Sequence, residues 1–451
     1  MTWTNAVIGD LVEPKVDQGG PSQSEFTYVD ISSIDNATKR VADPKRLPRE
    51  EAPSRARQRL KARDVVVSMT RPNLNAVALL QSELDGAIGS TGFDVLRVKI
   101  GVEPTWLYYA VQTPAFIHAM SGVVQGALYP AVRPKDIRGF PLTVPPLEEQ
   151  RRIVAEIEEQ LSRLEAGVAA LKRVQANVKR YRASVLAAAC SNRLVPTEAA
   201  LARAEGRSYE TGNLLLARIL QERRNRWTGK GKYQEPAAPD TTGLPGLPEG
   251  WAWANIEQLG DVIGGLTKNP KRKLLPLKLP YLRVANVYAD ELRLDDIEHI
   301  GVSDAELEKL RLSVDDLLVV EGNGSLAQIG RVARWDGSID PCVHQNHLIK
   351  VRLAGVNVRW AMQWLLSMPG RAHIETVAAS TSGLHTLSTG KVARLPVPLP
   401  PLPEQHRIVA EVDRRLSVVR EIEQQVEADV ARADRLRQST LQRAFSPKAI
   451  R

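Results

Sequence analysis

The sequence is poor in cysteine and has no long hydrophobic run, and each shortage excludes a class of protein. Only Cys190 and Cys342 occur among 451 residues, which excludes a disulfide scaffold and fits a reducing cytoplasm. No apolar run approaches the roughly 20 residues that a membrane span requires. The start, MTWTNAVIGDLVEPK, lacks the basic and apolar regions of a signal peptide. We therefore expect a cytoplasmic globular protein.

The motifs of common DNA and nucleotide enzymes are also missing. There is no GxxxxGK[ST] phosphate loop, no Asn-Pro-Pro-aromatic motif and no glycine-rich loop that opens a helix after a strand. CVHQNH, residues 342–347, offers three ligand-type side chains but no fourth for a tetrahedral zinc site. We expect no catalytic residue, no metal and no cofactor in this chain.

A long internal repeat dominates the sequence. PPLEEQRRIVAEI starts at Pro145 and PPLPEQHRIVAEV at Pro400, with ten of thirteen positions identical at an offset of 255 residues. In both copies apolar residues continue at steps of three and four until Ser191 and Ser446, and charged residues fill the other positions. This pattern predicts two helices of about 40 residues, each about 60 Å long. Two narrow apolar stripes in one chain favour an intramolecular coiled coil.

Each predicted helix follows about 145 residues rich in strand-like runs such as FTYVDI, DVVVSM, YLRVANV and DDLLVVE. The sequence thus predicts an α+β protein with two copies of one unit, in which a mixed α/β domain is followed by a long helix. The predicted segments are a first domain at 1–144, a helix at 145–191, a short helical segment and Pro/Gly linker at 192–249, a second domain at 250–399, a helix at 400–446 and a tail at 447–451.

The charge distribution favours a polyanionic partner. The net charge is +9, with ten basic and three acidic residues between Lys39 and Arg63, and six basic and no acidic residues between Lys268 and Arg283. A solvated charged face is the alternative interpretation of each cluster. Two similar domains linked by long helices are suited to contact one polymer at two places, with a spacing that the helices set.

Several sequence segments together resemble the specificity (S) subunit of Type I restriction–modification systems. They are the repeated PPL.EQ.RIVAE, the bridge NRLVPTEAA…NLLLARILQERRNRW, the join YQEPAAPDTTGLPGLPEGWAWANIEQLGDV, and the domain phrases FTYVDISSID and YLRVANV. The resemblance spans essentially the whole chain. The first half departs from the pattern, because it opens with MTW…IGD and lacks the LPEGW segment that stands at the start of the second domain.

The resemblance implies a fold, a function and partners. It implies two pseudo-repeated target-recognition domains that each read one half of a bipartite, asymmetric double-stranded DNA site. The two helices would pack as an antiparallel coiled coil, set the spacer, and dock two copies of an adenine-N6 methyltransferase subunit. S-adenosylmethionine, ATP and Mg²⁺ would belong to the methyltransferase and to motor-endonuclease subunits of a bacterial or archaeal complex. The S subunit itself would be non-catalytic.

Candidate DNA-binding residues follow from side-chain chemistry. Arginine and lysine hold phosphate or read guanine, whereas asparagine and glutamine suit adenine in the major groove. For phosphate we predict Arg55, Arg57, Arg59, Lys61, Arg63, Lys271, Arg272 and Lys273. For bases we predict Arg71, Asn73, Asn75, Asn323, Ser325, His344 and Asn346. The alternative for 321–325, EGNGS, is a plain turn.

Candidate subunit-docking and coiled-coil residues lie at the two helix starts, because identical partners need identical surfaces. They are Glu149, Gln150, Arg152, Ile153, Ile157 and Leu161, with Glu404, Gln405, Arg407, Ile408, Val412 and Leu416. The alternative is that the charged residues only cap the helices.

Two other functions remain open from the residues alone. One is a self-contained methyltransferase or nuclease whose catalytic groups are dispersed in sequence. The other is a scaffold whose coiled coil carries the function and whose flanking domains bind protein.

Overall fold

The fold is that of a computed structural model, which describes residues 3–123, 130–229, 231–323, 325–381 and 384–446. At residues 323, 327, 379–381 and 384 only the backbone is described. The chain divides into two compact units, one comprising 1–174 with 425–451 and the other comprising 175–424. Each unit therefore contains one mixed domain, the first part of one long helix and the last part of the other.

The first domain is built mainly of short strands. Its strands are β1 Thr4–Val7, β2 Glu25–Val29, β3 Ile34–Asp35, β4 Arg40–Val41, β5 Lys45–Pro48, β6 Ala56–Arg59, β7 Val65–Ser68, β8 Val77–Leu79, β9 Ile88–Ser90, β10 Phe93–Leu96 and β11 Pro141–Val144. Its helices are α1 Ile8–Leu11, α2 Pro104–Ala110, α3 Pro114–Gly122 and α4 Pro134–Arg138.

A long helix and a two-helix bridge follow the first domain. They are α5 Leu147–Cys190, α6 Glu198–Glu205 and α7 Gly212–Asn225. No proline interrupts α5. The proline pair 145–146 precedes the first helical residue, and acidic residues occupy the first turn, where the helix dipole favours them.

The second domain is also built mainly of short strands and is followed by the second long helix. Its strands are β12 Ala252–Asn255, β13 Gly260–Gly264, β14 Lys278–Leu282, β15 Val287–Tyr288, β16 Glu291–Leu292, β17 Glu298–Gly301, β18 Leu317–Val320, β19 Gly322–Asn323, β20 Val332–Arg334, β21 Val343–His344, β22 Leu348–Leu353, β23 Ala379–Thr381, β24 Leu384–Thr386 and β25 Pro396–Leu399. Its helices are α8 Ile256–Leu259, α9 Asp304–Leu310, α10 Val358–Leu366, α11 Met368–Val377 and α12 Thr389–Ala393, and α13 is Leu402–Ala444.

The two domains share one strand topology. β2 pairs antiparallel with β5 and parallel with β9, and β14 pairs in the same way with β17 and β21. β7 lies between β10 and β8, as β18 lies between β22 and β20. β1 pairs with β11 and β12 with β25, so each domain's first strand lies beside the strand that leads into a long helix. The predicted pseudo-repeat of two α/β domains and two long helices is confirmed.

An ion pair with a buried carboxylate recurs at the same place in both sheets. Asp64 accepts two hydrogen bonds from Arg97, at 2.9 and 2.8 Å, and Asp316 accepts two from Arg352, at 2.7 and 2.6 Å. Each carboxylate also accepts a backbone N–H three residues earlier in the chain. Because a buried carboxylate is costly unless it is fully hydrogen-bonded, this arrangement fixes the turn before β7 and β18.

The apolar stripes of the long helices are buried within the chain. The residues predicted at the helix starts, Ile153, Ile157, Leu161, Ile408, Val412 and Leu416, are all buried. In the first unit the first three pack with Leu441 and the domain core. In the second unit the last three pack with residues near the end of α5, including Val185 and Ala189. Their burial supports the coiled-coil role and leaves them unavailable for a partner.

Polar contacts show that α5 and α13 run antiparallel. In the first unit Thr440 donates to Gln160 and Arg437 contacts Glu165, at 3.3 and 3.5 Å. The residue numbers of the contacts on α13 therefore decrease as those on α5 increase. In the second unit Arg182 contacts Glu423 at 2.7 Å.

A buried glutamine connects each long helix to its domain. The Gln150 side chain accepts the backbone N–H of Glu103 at 2.8 Å and donates to the carbonyl of Pro145 at 2.8 Å. The Gln405 side chain does the same with Asn357 at 2.9 Å and Pro400 at 2.8 Å. Glu103 and Asn357 are the N-caps of α2 and α10. Both glutamines are almost wholly buried, so they hold the fold together and do not offer a docking surface.

This position allows a direct test. The substitution Gln405→Ala leaves a buried N–H and a buried carbonyl unpaired, and each loss costs about 1–3 kcal/mol. We expect the free energy of unfolding, measured by denaturant titration, to fall by about 2–4 kcal/mol. The control is Gln425→Ala, since Gln425 is exposed and donates only to Asp429 one turn along the same helix. Equal losses for the two variants would contradict the interpretation.

Candidate nucleic-acid interface

An exposed row of basic side chains lies along β6 of the first domain. Arg57 and Arg59 point outward, while Ala56, Gln58 and Leu60 are buried, as the two-residue period of a strand requires. Gln58 fixes the strand by donating to the carbonyls of Ser90 and Phe93. The exposed set predicted here is Arg55, Arg57, Arg59 and Lys61. In the part of the chain that the structure describes, none of the four forms an ion pair, so their charge is available to an anion.

Arg63 differs from its neighbours. Its backbone is left-handed, with φ of 68°, and its guanidinium contacts the carboxylate of Glu103 at the start of α2. The side chain is exposed, but part of its charge is already neutralised. It is therefore a weaker phosphate candidate than the residues of β6.

The loop of residues 69–76 presents two of the predicted base-reading residues. Arg71 and Asn73 are exposed, and Arg71 has a left-handed backbone. Asn75 is buried and donates to the carbonyl of Val111 at 2.9 Å, so it shapes the loop and does not face a ligand. Lys39 also holds the loop, because its ammonium donates to the carbonyls of Leu74 and Asn75. Burial lowers the pKa of Lys39 to about 8.

In the second domain the basic cluster 271–273 contains two exposed side chains and one that pairs with a carboxylate. Lys271 and Lys273 are exposed on the 3-10 turn Pro270–Leu274. Arg272 between them turns inward and donates to both oxygens of Glu306, at 2.7 and 3.1 Å. This contact lowers the pKa of Glu306 to about 2. Arg272 therefore stabilises the domain, and only the two lysines fit a phosphate role.

The remaining predicted base-reading residues have different surroundings. His344 is fully buried in β21, its Nδ1 lies 3.0 Å from the carbonyl of Leu348, and burial lowers its pKa to about 4. From this position it cannot reach a base edge. Asn346 is partly exposed and Ser325 is exposed. Asn323 lies in β19, and its side chain is outside the described atoms.

Sequence reasoning missed one basic residue of the first domain. Arg46, on the edge strand β5, is largely exposed and lines the same cleft as Arg59. The cleft measures about 390 Å³ and also contains the polar side chains of Ser22, Gln23 and Thr27. The signal was present, because Arg46 belongs to the basic stretch 39–63, but the sequence alone does not bring β5 and β6 together.

The charged residues at the two helix starts differ in exposure and in hydrogen-bond partners. Glu149 is partly exposed and accepts two hydrogen bonds from Arg152, at 2.9 and 2.6 Å. Glu404 is fully buried and accepts the backbone N–H of Glu198 and the indole N–H of Trp251, both at 2.8 Å. Burial raises the pKa of Glu404. The predicted pair of identical docking surfaces is therefore wrong at this position.

Arg407 completes the buried arrangement in the second unit. It contacts the carboxylate of Glu198 at 2.7 Å, and Arg207 contacts the other oxygen at 2.7 Å. Burial tends to raise the pKa of Glu198, but the two arginines outweigh it and the pKa lies below its ordinary value. Arg407 thus anchors the bridge to α13.

The long helices leave apolar side chains exposed that a partner can cover. Val418 and Ile422, four residues apart on α13, share a face with each other, and Tyr181 on α5 is also exposed in this unit. Val174 and Leu436 are exposed in the first unit. Four of these five belong to the predicted apolar stripes, so the coiled coil buries only part of each stripe.

The described residues contain no group of three or more His, Cys, Asp or Glu side chains arranged to hold a metal ion. None of their helices combines the length and apolar character that crossing a membrane requires.

Comparison with known proteins shows similarity to Type I restriction enzyme specificity subunits. The model of the Type I restriction modification DNA specificity domain matches residues 248–431. The StySPI specificity subunit of Salmonella potsdam, a Type I restriction enzyme subunit, is 23% identical over 416 residues, covering 91% of this chain and 78% of its own length. The EcoKI specificity subunit of Escherichia coli K12 is 24% identical over 419 residues, with the same coverage.

A solved structure shows the same fold. A chain from a study of complex assembly and conformational transition in a type I R-M system aligns with a TM-score of 0.64 and 24% identity, covering 99% of this chain and 98% of the other. The resemblance to Type I specificity subunits drawn from the sequence is thus confirmed, and residues 248–431 match the DNA specificity domain of that family.

Proposed function

We propose that the two domains read the two halves of a bipartite, asymmetric DNA site and that the paired helices set the spacer between them. A specificity subunit is the non-catalytic, DNA-recognising member of its enzyme, which agrees with the missing catalytic motifs. The proposal adds that the first domain reads one half of the site and the second domain reads the other half. We place this activity in the cytoplasm, where the DNA is.

One observation carries the proposal. The loop 69–76 and the segment 321–331, which includes β19, connect equivalent strands, β7 to β8 and β18 to β20. Side-chain chemistry alone predicts base-reading residues in both. The first exposes Arg71 and Asn73, and the second exposes Ser325, with residue 324 outside the described set. Equivalent positions that carry different polar side chains are what two different half-sites require.

The basic residues supply a second, sequence-independent contribution. Arg57, Arg59, Lys271 and Lys273 are exposed outside the two loops, where they suit phosphate contacts that fix register without reading sequence. The two clusters are not at equivalent positions, since one lies on β6 and the other precedes β14. Phosphate contacts therefore differ between the domains even though the framework repeats.

Partner subunits complete the proposed activity. We infer that two methyltransferase copies dock along the paired helices, where Tyr181, Val418 and Ile422 leave apolar surface exposed. S-adenosylmethionine would be held by those copies, and ATP and Mg²⁺ by motor-endonuclease subunits that join for cleavage. This chain would hold no cofactor of its own.

The first test is sequencing of adenine methylation in a host that lacks other restriction systems. The host would carry this chain with its cognate methyltransferase, and then the methyltransferase alone. We expect a new two-part methylated motif only when both are present. A stable complex that creates no motif would favour the scaffold function, and methylation by this chain alone would favour an enzyme.

The loop residues allow a test of half-site assignment. Asn73→Ala removes a candidate base contact from the first domain only, and one base contact is worth about 1–3 kcal/mol. We expect roughly 10–100-fold weaker discrimination at one half-site, with the other half unchanged, measured by competition binding of the methyltransferase complex. Loss of discrimination at both halves, or at neither, would contradict the assignment.

The phosphate role of β6 is tested by salt dependence. The double variant Arg57→Ala/Arg59→Ala removes two candidate contacts, so the slope of log affinity against log salt should decrease in magnitude by about 2. Affinity should fall equally for specific and nonspecific DNA. Arg163→Ala is the matched control, because Arg163 is exposed on α5 and pairs with Glu159 of the same helix; it should leave the slope unchanged. An unaltered slope in the double variant would exclude β6 from the interface.

A further inference from the structure

Arg331 differs from most arginines of the second domain in the partners available to its charge. Ten arginines occur between residues 250 and 399. Eight of them form ion pairs with carboxylates, and these are Arg272, Arg283, Arg293, Arg311, Arg334, Arg352, Arg359 and Arg371. Arg331 and Arg394 have no carboxylate within ion-pair distance among the residues that the structure describes. Arg394 is exposed, so water solvates its charge, whereas Arg331 is partly buried.

The Arg331 guanidinium is desolvated without gaining a counter-charge. Its Nε is buried and has no hydrogen-bond partner among the described groups. Its other two nitrogens donate to Oε1 of Gln328 at 3.3 Å and to the carbonyl of Val284 at 3.4 Å, both longer than a typical hydrogen bond. Burial lowers the pKa of Arg331, but arginine stays protonated in proteins. A cation in these surroundings is costly unless an anion joins it.

An aromatic ring holds this guanidinium in place. The central carbon of the Arg331 guanidinium lies 5.0 Å from the centre of the Tyr288 ring, and that of Arg293 lies 4.1 Å from the same centre. Arg293 also contacts Glu291 at 2.9 Å, so its charge is compensated. Arg331 meets only the electron-rich face of the ring. Tyr288 therefore orients the Arg331 side chain but does not neutralise it.

Arg331 lies at the end of the segment 321–331, beside an exposed side chain of that segment. Gln328, which Arg331 contacts, is exposed. The segment is held from another side by Arg371 of α11, which donates to the carbonyl of Ile329. The Arg331 charge is thus fixed next to the part of the second domain that is proposed to meet the bases.

The first domain carries an alanine at the equivalent position. The first residues of β8 and β20 correspond, because each pairs with the third residue of the central strand of its sheet. Arg331, which precedes β20, therefore corresponds to Ala76, which precedes β8 and is buried. The cation beside the first loop is Lys39, and its ammonium is occupied by the carbonyls of Leu74 and Asn75. The uncompensated charge is thus a feature of the second domain and not of the shared framework.

We propose that Arg331 binds one phosphate of the DNA half-site that the second domain reads. This inference rests on the proposed function and adds a positioning residue to it. The phosphate supplies the negative charge that Arg331 lacks in the free chain, and the guanidinium fork matches two phosphate oxygens. Because phosphate contacts fix register, the bound Arg331 places the segment 321–331 against the base edges.

The test couples this residue to a single phosphate. Duplexes with the methylated motif would carry one uncharged methylphosphonate at each successive position, and their binding to the methyltransferase complex would be measured by competition. We expect one position, in the half-site that Asn73→Ala leaves unchanged, to weaken the wild type by about 10-fold or more. The same replacement should not weaken Arg331→Met further, because that variant already lacks the contact.

Two variants separate the contact from an effect on folding. Arg331→Met should reduce the slope of log affinity against log salt by about 1. Arg331→Lys keeps a charge beside Tyr288, so its slope should stay close to that of the wild type. Arg311→Met is the matched control, because it removes the same charge from a residue that already pairs with Asp340 at 2.5 Å. It should retain the slope and the phosphonate sensitivity of the wild type.

Other outcomes would overturn the proposal. A wild type that binds normally, with no phosphonate position whose effect disappears in Arg331→Met, would exclude the phosphate contact. Weaker discrimination at one guanine without such a position would assign Arg331 to base reading instead. A wild-type complex that binds no duplex at all would overturn the proposed function itself, so the two failures are distinguishable.

Discussion

The fold depends on one repeated interaction, a buried glutamine that ties each long helix to the domain before it. Gln150 and Gln405 each join the N-cap of a domain helix to the carbonyl of the proline two residues before a long helix. The two partners are backbone groups, so the contact does not depend on which side chains the domain carries elsewhere. A domain can change its surface completely while its junction with the helix stays the same.

This separation of junction and surface suits a recognition subunit. The strand topology and the Asp64–Arg97 and Asp316–Arg352 pairs repeat in both domains, whereas the exposed residues of the equivalent loops differ. Buried carboxylates that are fully hydrogen-bonded hold the turns before the central strands, so the loops start from fixed ends. The framework fixes where the loops lie, and the exposed side chains of the loops differ between the domains.

The repeat is broken where the bridge meets the second helix. Glu404 and Glu149 occupy the same position in nearly identical sequences, yet one is buried by Glu198 and Trp251 and the other remains accessible. The difference arises because a bridge follows α5 and supplies the segment that covers Glu404. Identical helix starts therefore acquire different surfaces from the chain that surrounds them.

The sequence by itself determined the repeat, the two long helices and the class of the domains, because identity at a fixed offset and helical periodicity are local properties. Five of its seven candidate base-reading residues, Arg71, Asn73, Asn75, Asn323 and Ser325, fall in segments that connect equivalent strands. Only the tertiary structure decided which polar residues are free. Arg272 and Asn75 resemble their exposed neighbours in the sequence, but Glu306 and the Val111 carbonyl, which contact them, lie 34 and 36 residues away along the chain. Burial depends on which distant segment packs against a residue, so it is set by the fold and not by the pattern.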